Sequence, residues 1–361
     1  MQQIDGGIVD FPRIFNRAIV HWKIRYSFAQ SSAMTALNKE FQSLLLPTGR
    51  TLAFAEFGKP NGRPVIYFHG FPMCRLEASA LDTPARRANI RLIAPDRPGI
   101  GQSSFTPRRS ILDHAEDVRV LSQHLGIPKF AILGVSGGTP YTLACASALP
   151  KEMLIGVGIL SGMGTYEKSD LALVPMASKI VGWLARNAPR VLTIITNISV
   201  ASLKHIVEWK WFQKKIEEAV ENAKKSKNQW EKDVIGTSDQ DDSNDRWTAT
   251  GSRERLLKAI FEPFRQGSKG VVQEAALVSQ PWGFKLEEIM YPVKIWHGKK
   301  DINAPIEWMQ AMSKRITNAE MHEFEEETHG GVIKHLDTIF TELLEKDTTK
   351  TYNDDSLRKR T

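Results

Sequence analysis

Phe130-Ala131-Ile132-Leu133-Gly134-Val135-Ser136-Gly137-Gly138-Thr139-Pro140 decides the fold. Phe130 to Leu133 form an apolar run long enough for one buried strand. A glycine-rich turn follows at once, with Ser136 at its apex. Pro140 then opens a helical pattern through Leu143, Ala144, Ala146 and Leu149. Proline suits the first turn of a helix, where its missing N–H costs nothing. Strand, tight turn and helix with a G-x-S-x-G core make a nucleophile elbow. The residues two before and two after the serine crowd each other and must be small, and both are glycine, Gly134 and Gly138. The helix N-terminus beneath the serine favours negative charge there.

Outward from this stretch, short strands alternate with helices. Leu44 to Leu46 and Thr51 to Phe57 read as a hairpin. Val65 to Phe68 is an apolar strand ending in His69-Gly70-Phe71-Pro72. Cys74 to Ala88 reads as mostly helical, and Ile90 to Ala94 as a strand before Asp96-Arg97-Pro98-Gly99-Ile100-Gly101. Ile111 to Leu125 is a predicted helix and Met153 to Leu160 a strand. This alternation implies a mostly parallel sheet with helices on both faces. It stops between Gly164 and about Gln280, where helical stripes replace it. Val174 to Leu184 and Val191 to Leu203 are apolar and interrupted by Pro189. Ile206, Trp209, Phe212, Ile216, Val220 and Ala223 form a third stripe, and Ser252 is placed to cap a fourth helix through Phe261. Thr237 to Arg246 is polar and reads as a loop. Such a stretch is too long for a loop and is expected to be a helical cap inserted in the sheet domain. Val293 to Trp296 and Glu320 to Phe324 return as strands, with helices at Ile306 to Ile316 and Val332 to Leu344.

The expected organisation is an N-terminal amphipathic extension (1–40), a first part of the core (41–163), the cap (164–281), a second part of the core (282–348) and a disordered tail (349–361). In the extension, Phe11, Ile14, Phe15, Ala18, Ile19 and Trp22 share one helical face. That face is expected to pack on its own domain or on the cap, with a membrane-surface or subunit contact through residues 11–25 as the alternative.

The totals suit an ordinary globular protein of 361 residues, 42% hydrophobic and 25% charged. A net charge of +7 is spread among interleaved acids. Only the Lys224-Lys225-Ser226-Lys227 cluster is dense, and it reads as a solvated helix end, so no nucleic-acid partner is expected. Two cysteines, Cys74 and Cys145, match no metal-ligand spacing and no disulfide framework. Asp5 and Asp10 interrupt any signal-peptide order, and no uncharged apolar run reaches membrane-spanning length. A cytoplasmic location, with peripheral membrane contact as an option, is the expectation, and the Asn197-Ile198-Ser199 sequon is read as accidental.

With these motifs in hand, the chain resembles the α/β-hydrolase family over about residues 41–163 and 265–345. The resemblance implies a Ser–Asp–His triad in that chain order. Ser136 is the nucleophile. Asp301, after the strand ending in Trp296-His297-Gly298, is the acid, and Asp170 is the less favoured substitute. His329, in Thr328-His329-Gly330-Gly331, is the base, with His335 as fallback. The family more often has Gly before this histidine. The backbone N–H groups of Phe71 and Gly137 would hold the oxyanion. His69 and His297 read as structural, and Asp96 and Arg97 as ties between neighbouring loops. No metal or organic cofactor is implied.

The implied activity is hydrolysis of a carboxylic ester or related acyl bond of a hydrophobic small molecule through an acyl-enzyme. Acyltransferases, thioesterases and C–C hydrolases use the same triad, and some relatives only bind ligands. Epoxide hydrolases and haloalkane dehalogenases are set aside because they use an Asp nucleophile. Proline iminopeptidases usually carry a tryptophan in the elbow, where this chain has Gly137-Gly138.

Overall fold

In the computed structural model, residues 39–225, 228 and 249–345 are described. The expected N-terminal helix, the polar loop at 237–246 and the C-terminal tail lie outside them. Eight strands form one sheet in the order β1-β2-β4-β3-β5-β6-β7-β8. They are β1 (Gln42–Leu45), β2 (Thr51–Gly58), β3 (Arg63–Phe68), β4 (Ile90–Pro95), β5 (Phe130–Val135), β6 (Leu154–Leu160), β7 (Val293–Gly298) and β8 (Ala319–Phe324). β2 runs antiparallel to both β1 and β4, and every other pairing is parallel.

Residue types explain the strand positions. β3 to β7 are near-continuous apolar runs and are almost wholly buried, as strands covered on both faces must be. The outer strands β1 and β8 alternate exposed and half-buried residues. Alternation along each strand sends its side chains to two separate cores. Ile66, Phe68, Ile93 and Ile132 face one, packed under helices α2 (Asp113–His124), α3 (Thr139–Ala148) and α9 (Ile306–Ser313). Val65, Tyr67, Leu92, Ala131 and Leu133 face the other, under α1 (Asp82–Arg87) and α10 (Leu336–Leu344).

Between β6 and β7 the described residues hold five α-helices and no strand. They are α4 (Met176–Asn187), α5 (Pro189–Val207), α6 (Lys210–Lys225), α7 (Ala249–Phe261) and α8 (Lys269–Val278). The expected helical insertion is therefore present, with shifted boundaries. Pro189 is the first residue of α5 instead of an interruption. Ile206 belongs to α5 and Trp209 to the turn after it, so the third stripe is divided between two helices. Ser252 falls inside α7, which starts upstream at Ala249. α4 and α8 pack through Ala185, Val272 and Ala275.

β4 and β5 lie on opposite sides of β3. In open α/β sheets, the crevice at the carboxyl ends of such strands is where ligands bind.

Candidate active site

The β5–α3 turn is as tight as its residues demand. Ser136 has φ +50°, a left-handed conformation unusual for a residue with a side chain. A Cβ at Gly134 would come within 1.9 Å of Thr142 Oγ1, and one at Gly138 within 2.2 Å of the Phe68 carbonyl oxygen. Neither position has room for any other residue. Among the described residues Ser136 shares this conformation with Ser161 at the end of β6, and such backbone outliers cluster at functional sites.

The loop after β3 lies against this turn. A Cβ on Gly137 would sit 3.0 Å from the Phe71 nitrogen, so the two expected oxyanion donors are neighbours. The β3 loop is held from beneath. The buried guanidinium of Arg97 donates to the carbonyls of His69 and, at 2.9 Å, of Gly70. Glu77 accepts from the Gly70 N–H at 2.7 Å and from the Tyr67 hydroxyl at 2.8 Å. Burial holds the Glu77 carboxyl above its ordinary range, although both hydrogen bonds pull it back.

The expected acid and base come from the far half of the sheet. Asp301, after β7, is buried, and its Oδ2 lies 2.7 Å from His329 Nδ1. Its Oδ1 accepts from the N–H groups of Asn303 and Ala304, both at 2.9 Å. The carboxylate therefore has one oxygen fixed by backbone and the other turned to the imidazole. His329 follows β8. Its carbonyl accepts from the Ser161 hydroxyl at 2.7 Å, and Ser161 itself has φ +44° at the end of β6.

Ser136, Gly137, Phe71 and His329 all line one cavity of about 270 Å³. The sheet side adds Met163, Tyr166, Asn303, Ala304 and Trp308, and the insertion adds Ala177, Ser178, Val181, Gly182, Ala275 and Val278. Thus residues far apart in sequence meet in one mostly apolar chamber.

The fallback residues have other partners. Asp170 bonds with the hydroxyls of Thr165 and, at 2.9 Å, Ser169. His335 stacks on Phe324 and lies 3.3 Å from Glu327. His69 and His297 are buried and contact backbone carbonyls, of Gly70 at 2.9 Å and of Ala304 at 2.8 Å. His297 also approaches Asp301 Oδ2 at 3.3 Å. Burial above all keeps both rings below the ordinary histidine range. Asp96 and Arg97 do bridge loops, by separate routes. Asp96 pairs with buried Arg75, which reaches on to Glu262 at 2.9 Å. Arg97 meets Glu274 of α8 at 3.0 Å.

Three contributors have no visible mark in the sequence. Ser161 and Glu274 act through partners distant in the chain, and Glu77 through Gly70 and Tyr67 across the turn after β3. Glu274 lies between Arg97 and Arg109 and accepts from the Tyr141 hydroxyl at 2.8 Å. Burial pushes its carboxyl upward, but the two guanidiniums outweigh this and hold it below its ordinary range.

A family model described as the alpha/beta hydrolase fold matches residues 63–336. Among solved structures, an esterase from Exiguobacterium antarcticum aligns at TM-score 0.51 and 17% identity, covering 84% of this chain and 98% of that one. The enol-lactonase from Burkholderia xenovorans aligns at TM-score 0.53 and 14% identity, covering 84% and 98%. Identities this low concern the fold alone. Among curated proteins, a proline iminopeptidase of Xanthomonas citri is 31% identical over 112 residues, 29% of this chain and 34% of its own length. An acetyltransferase component of the acetoin cleaving system of Pseudomonas putida is 36% identical over 106 residues, 29% of this chain and 28% of its own length. The chain thus spans about a third of the curated relatives it matches.

Proposed function

Because the chain belongs to the alpha/beta hydrolase fold family, we propose that it is a serine hydrolase cleaving a carboxylic ester of an apolar small molecule. The observation that carries this reading is the strained Ser136 sharing a cavity with His329, whose other ring nitrogen meets Asp301 at 2.7 Å. A serine hydroxyl is a weak nucleophile until a positioned base takes its proton. In the proposed reaction His329 Nε2 accepts that proton as Ser136 Oγ bonds to the carbonyl carbon. Asp301 holds the imidazole in the required tautomer and stabilises its charge. The N–H groups of Phe71 and Gly137 receive the oxyanion. The tetrahedral intermediate collapses with breakage of the C–O bond, and His329 returns its proton to the departing alcohol. Water, deprotonated by His329, then attacks the acyl-enzyme and frees Ser136.

The lining supports an ester over a peptide with a free amino terminus. Among the described residues that line the cavity none is Asp or Glu, and an ammonium group would have no counter-charge there. The volume, at the lower edge of the roughly 300–1,000 Å³ of ligand pockets, favours short to medium acyl groups. The insertion closes the apolar side and acts as the cap. A p-nitrophenyl ester series of rising acyl length tests this, with prolyl and alanyl p-nitroanilides alongside. Burst kinetics, with kcat/KM highest at short to medium length, are expected. Preference for the anilides would replace the ester reading with an aminopeptidase one.

A further inference from the structure

We propose that the outer face of α4 and α5 docks on a membrane surface rich in anionic lipid. Four apolar residues of α5, Val191, Ile194, Ile195 and Ile198, recur at the spacing of one helical face, and that face is exposed. On α4, Met176, Ile180 and Trp183 do the same. Scattered exposed apolar residues are ordinary, but two adjoining helical stripes are not. Ile194 and Ile198 are 60% and 59% exposed, so packing among the described residues makes little use of them.

Among the described helices, α5 alone is long and apolar enough to cross a membrane by length and composition. Its inner side argues for lying flat instead. Leu192 packs beside Ala185, Val272 and Ala275, and Asn197 Oδ1 accepts from the Ser268 N–H at 3.0 Å. A helix tied along one side to a folded domain offers a membrane only its other side.

Charge selects the occupant. The whole chain has 48 basic and 41 acidic residues, but α4 and α5 with the residue between them (176–207) contain four Lys or Arg and no acid, and α6 adds five Lys against Glu217, Glu218 and Glu221. Arg190 is exposed at the start of the apolar stripe and Lys210 just beyond the end of α5, while Lys214 and Lys215 of α6 pair with Glu218. A second copy of the chain would oppose like charge to like, whereas anionic headgroups complement it. Trp209 and Trp211 are exposed beside Lys210, and tryptophan favours the level of the headgroups. Ala177, Ser178 and Val181 of α4 also line the cavity of Ser136. Docking would set the apolar chamber against the lipid. The proposal concerns binding and does not rest on the ester reading.

The test is flotation of the full chain with phosphatidylcholine vesicles and with vesicles that also contain phosphatidylglycerol, without any substrate. The wild type is expected to float with the anionic vesicles and to be released by salt. An Ile194→Ser/Ile195→Ser/Ile198→Ser variant should lose at least about tenfold in binding with its melting temperature unchanged. Arg190→Glu/Lys210→Glu should lose the preference for anionic lipid. Undiminished flotation of the triple-serine variant overturns the proposal. So does flotation lost only on Phe15→Ser/Trp22→Ser, which assigns membrane contact to the N-terminal segment. No flotation, with a dimer in sedimentation that the triple-serine variant dissociates, also overturns it in favour of self-association.

Discussion

At the carboxyl edge of the sheet, charged side chains are buried and matched; on the outside of α4 and α5, apolar side chains face solvent. Arg97, Arg109 and Glu274 lie at or below 1% exposure in their side chains. Trp183, on the other region, is 57% exposed. Neither arrangement maximises stability. Well-packed apolar residues often replace a buried ion pair at no loss, and exposed isoleucines bury little surface in the free chain. The first arrangement makes sense as a device of position. Arg97 reaches the carbonyls of the loop bearing Phe71, and Glu274 ties Arg97 to α8, whose Ala275 and Val278 line the cavity. The second makes sense for a surface that meets something else. The buried polar network and the exposed apolar face thus meet the same chamber through two packed helices, α8 and α4.

The comparison can be broken at several points. The largest effect is expected at Asp301→Asn. Two backbone N–H groups hold Oδ1, so the amide keeps its oxygen there and turns its NH₂ toward His329 Nδ1. That favours the wrong tautomer and should lower kcat roughly ten-thousand-fold, with melting temperature little changed, read by ester turnover and calorimetry. Next is Glu274→Gln, which leaves two buried guanidiniums short of their counter-charge. A loss of about 3–5 kcal/mol is expected in urea unfolding, and a loss below about 1 kcal/mol would mean that the network is not structural.

Third is the pH dependence of stability. His69, His114 and His297 are all kept below the ordinary histidine range, by burial first. Unfolded histidines take up protons near pH 6.5, and the folded ones resist doing so. Stability is therefore full above that pH and falls as the solution is acidified through it, by up to about 1.4 kcal/mol per pH unit for each ring. Glu77 and Asp96, raised by burial, act in the opposite sense in the carboxylate range below. His114 sits edge-on to Phe68 and Tyr141. His114→Phe should keep that packing and remove one ring's share of the slope below about pH 6.5, measured by denaturant midpoints.

Fourth, Ser161→Ala removes the hydrogen bond to the His329 carbonyl. About 1 kcal/mol of stability is expected to go. On the proposal that Ser161 positions His329 as the base, kcat should also fall several-fold at constant KM; a purely structural role would lower the melting temperature alone. The smallest effect belongs to the exposed face. Ile194→Ser or Trp183→Ser should change stability by no more than about 0.5 kcal/mol, and a larger loss in solution would mean that the face is covered within the protein itself.

Much of this was readable in the chain. β5 is a continuous apolar run, β3 and β7 nearly so, and all three end in Gly-bearing turns; a buried parallel strand has no alternation to confuse it with an edge. Ser136 announces itself because Gly134 and Gly138 are sterically required. Asp301 and His329 were implied by the family resemblance together with the strand that precedes each, and the structure sets His329 Nδ1 2.7 Å from Asp301 Oδ2. The helical insertion was visible as a loss of alternation, while its boundaries were not. Pro189 looked like a break because proline both stops and starts helices, and here it occupies the first turn. Ser252 has the right chemistry for a cap, yet the helix runs past it. Ser161 was invisible because its role depends on long-range approach, and Glu77 because a loop that folds back over seven residues leaves no periodic mark. Nothing beside Ser161 signals a left-handed backbone, and Glu274 on a helix reads like any solvated acid. The exposure of the α5 stripe was hidden for the same reason, since an apolar stripe in a sequence does not declare whether its partner is the same chain.

The central claim is that Ser136 is activated by His329 and Asp301. Reaction with a fluorophosphonate, read by intact mass, tests it most directly, on the wild type, Ser136→Ala and His329→Ala. The account predicts one adduct per wild-type chain, none on Ser136→Ala and a rate lowered by orders of magnitude on His329→Ala. An unlabelled wild type, an adduct on Ser136→Ala, or undiminished labelling of His329→Ala would contradict it.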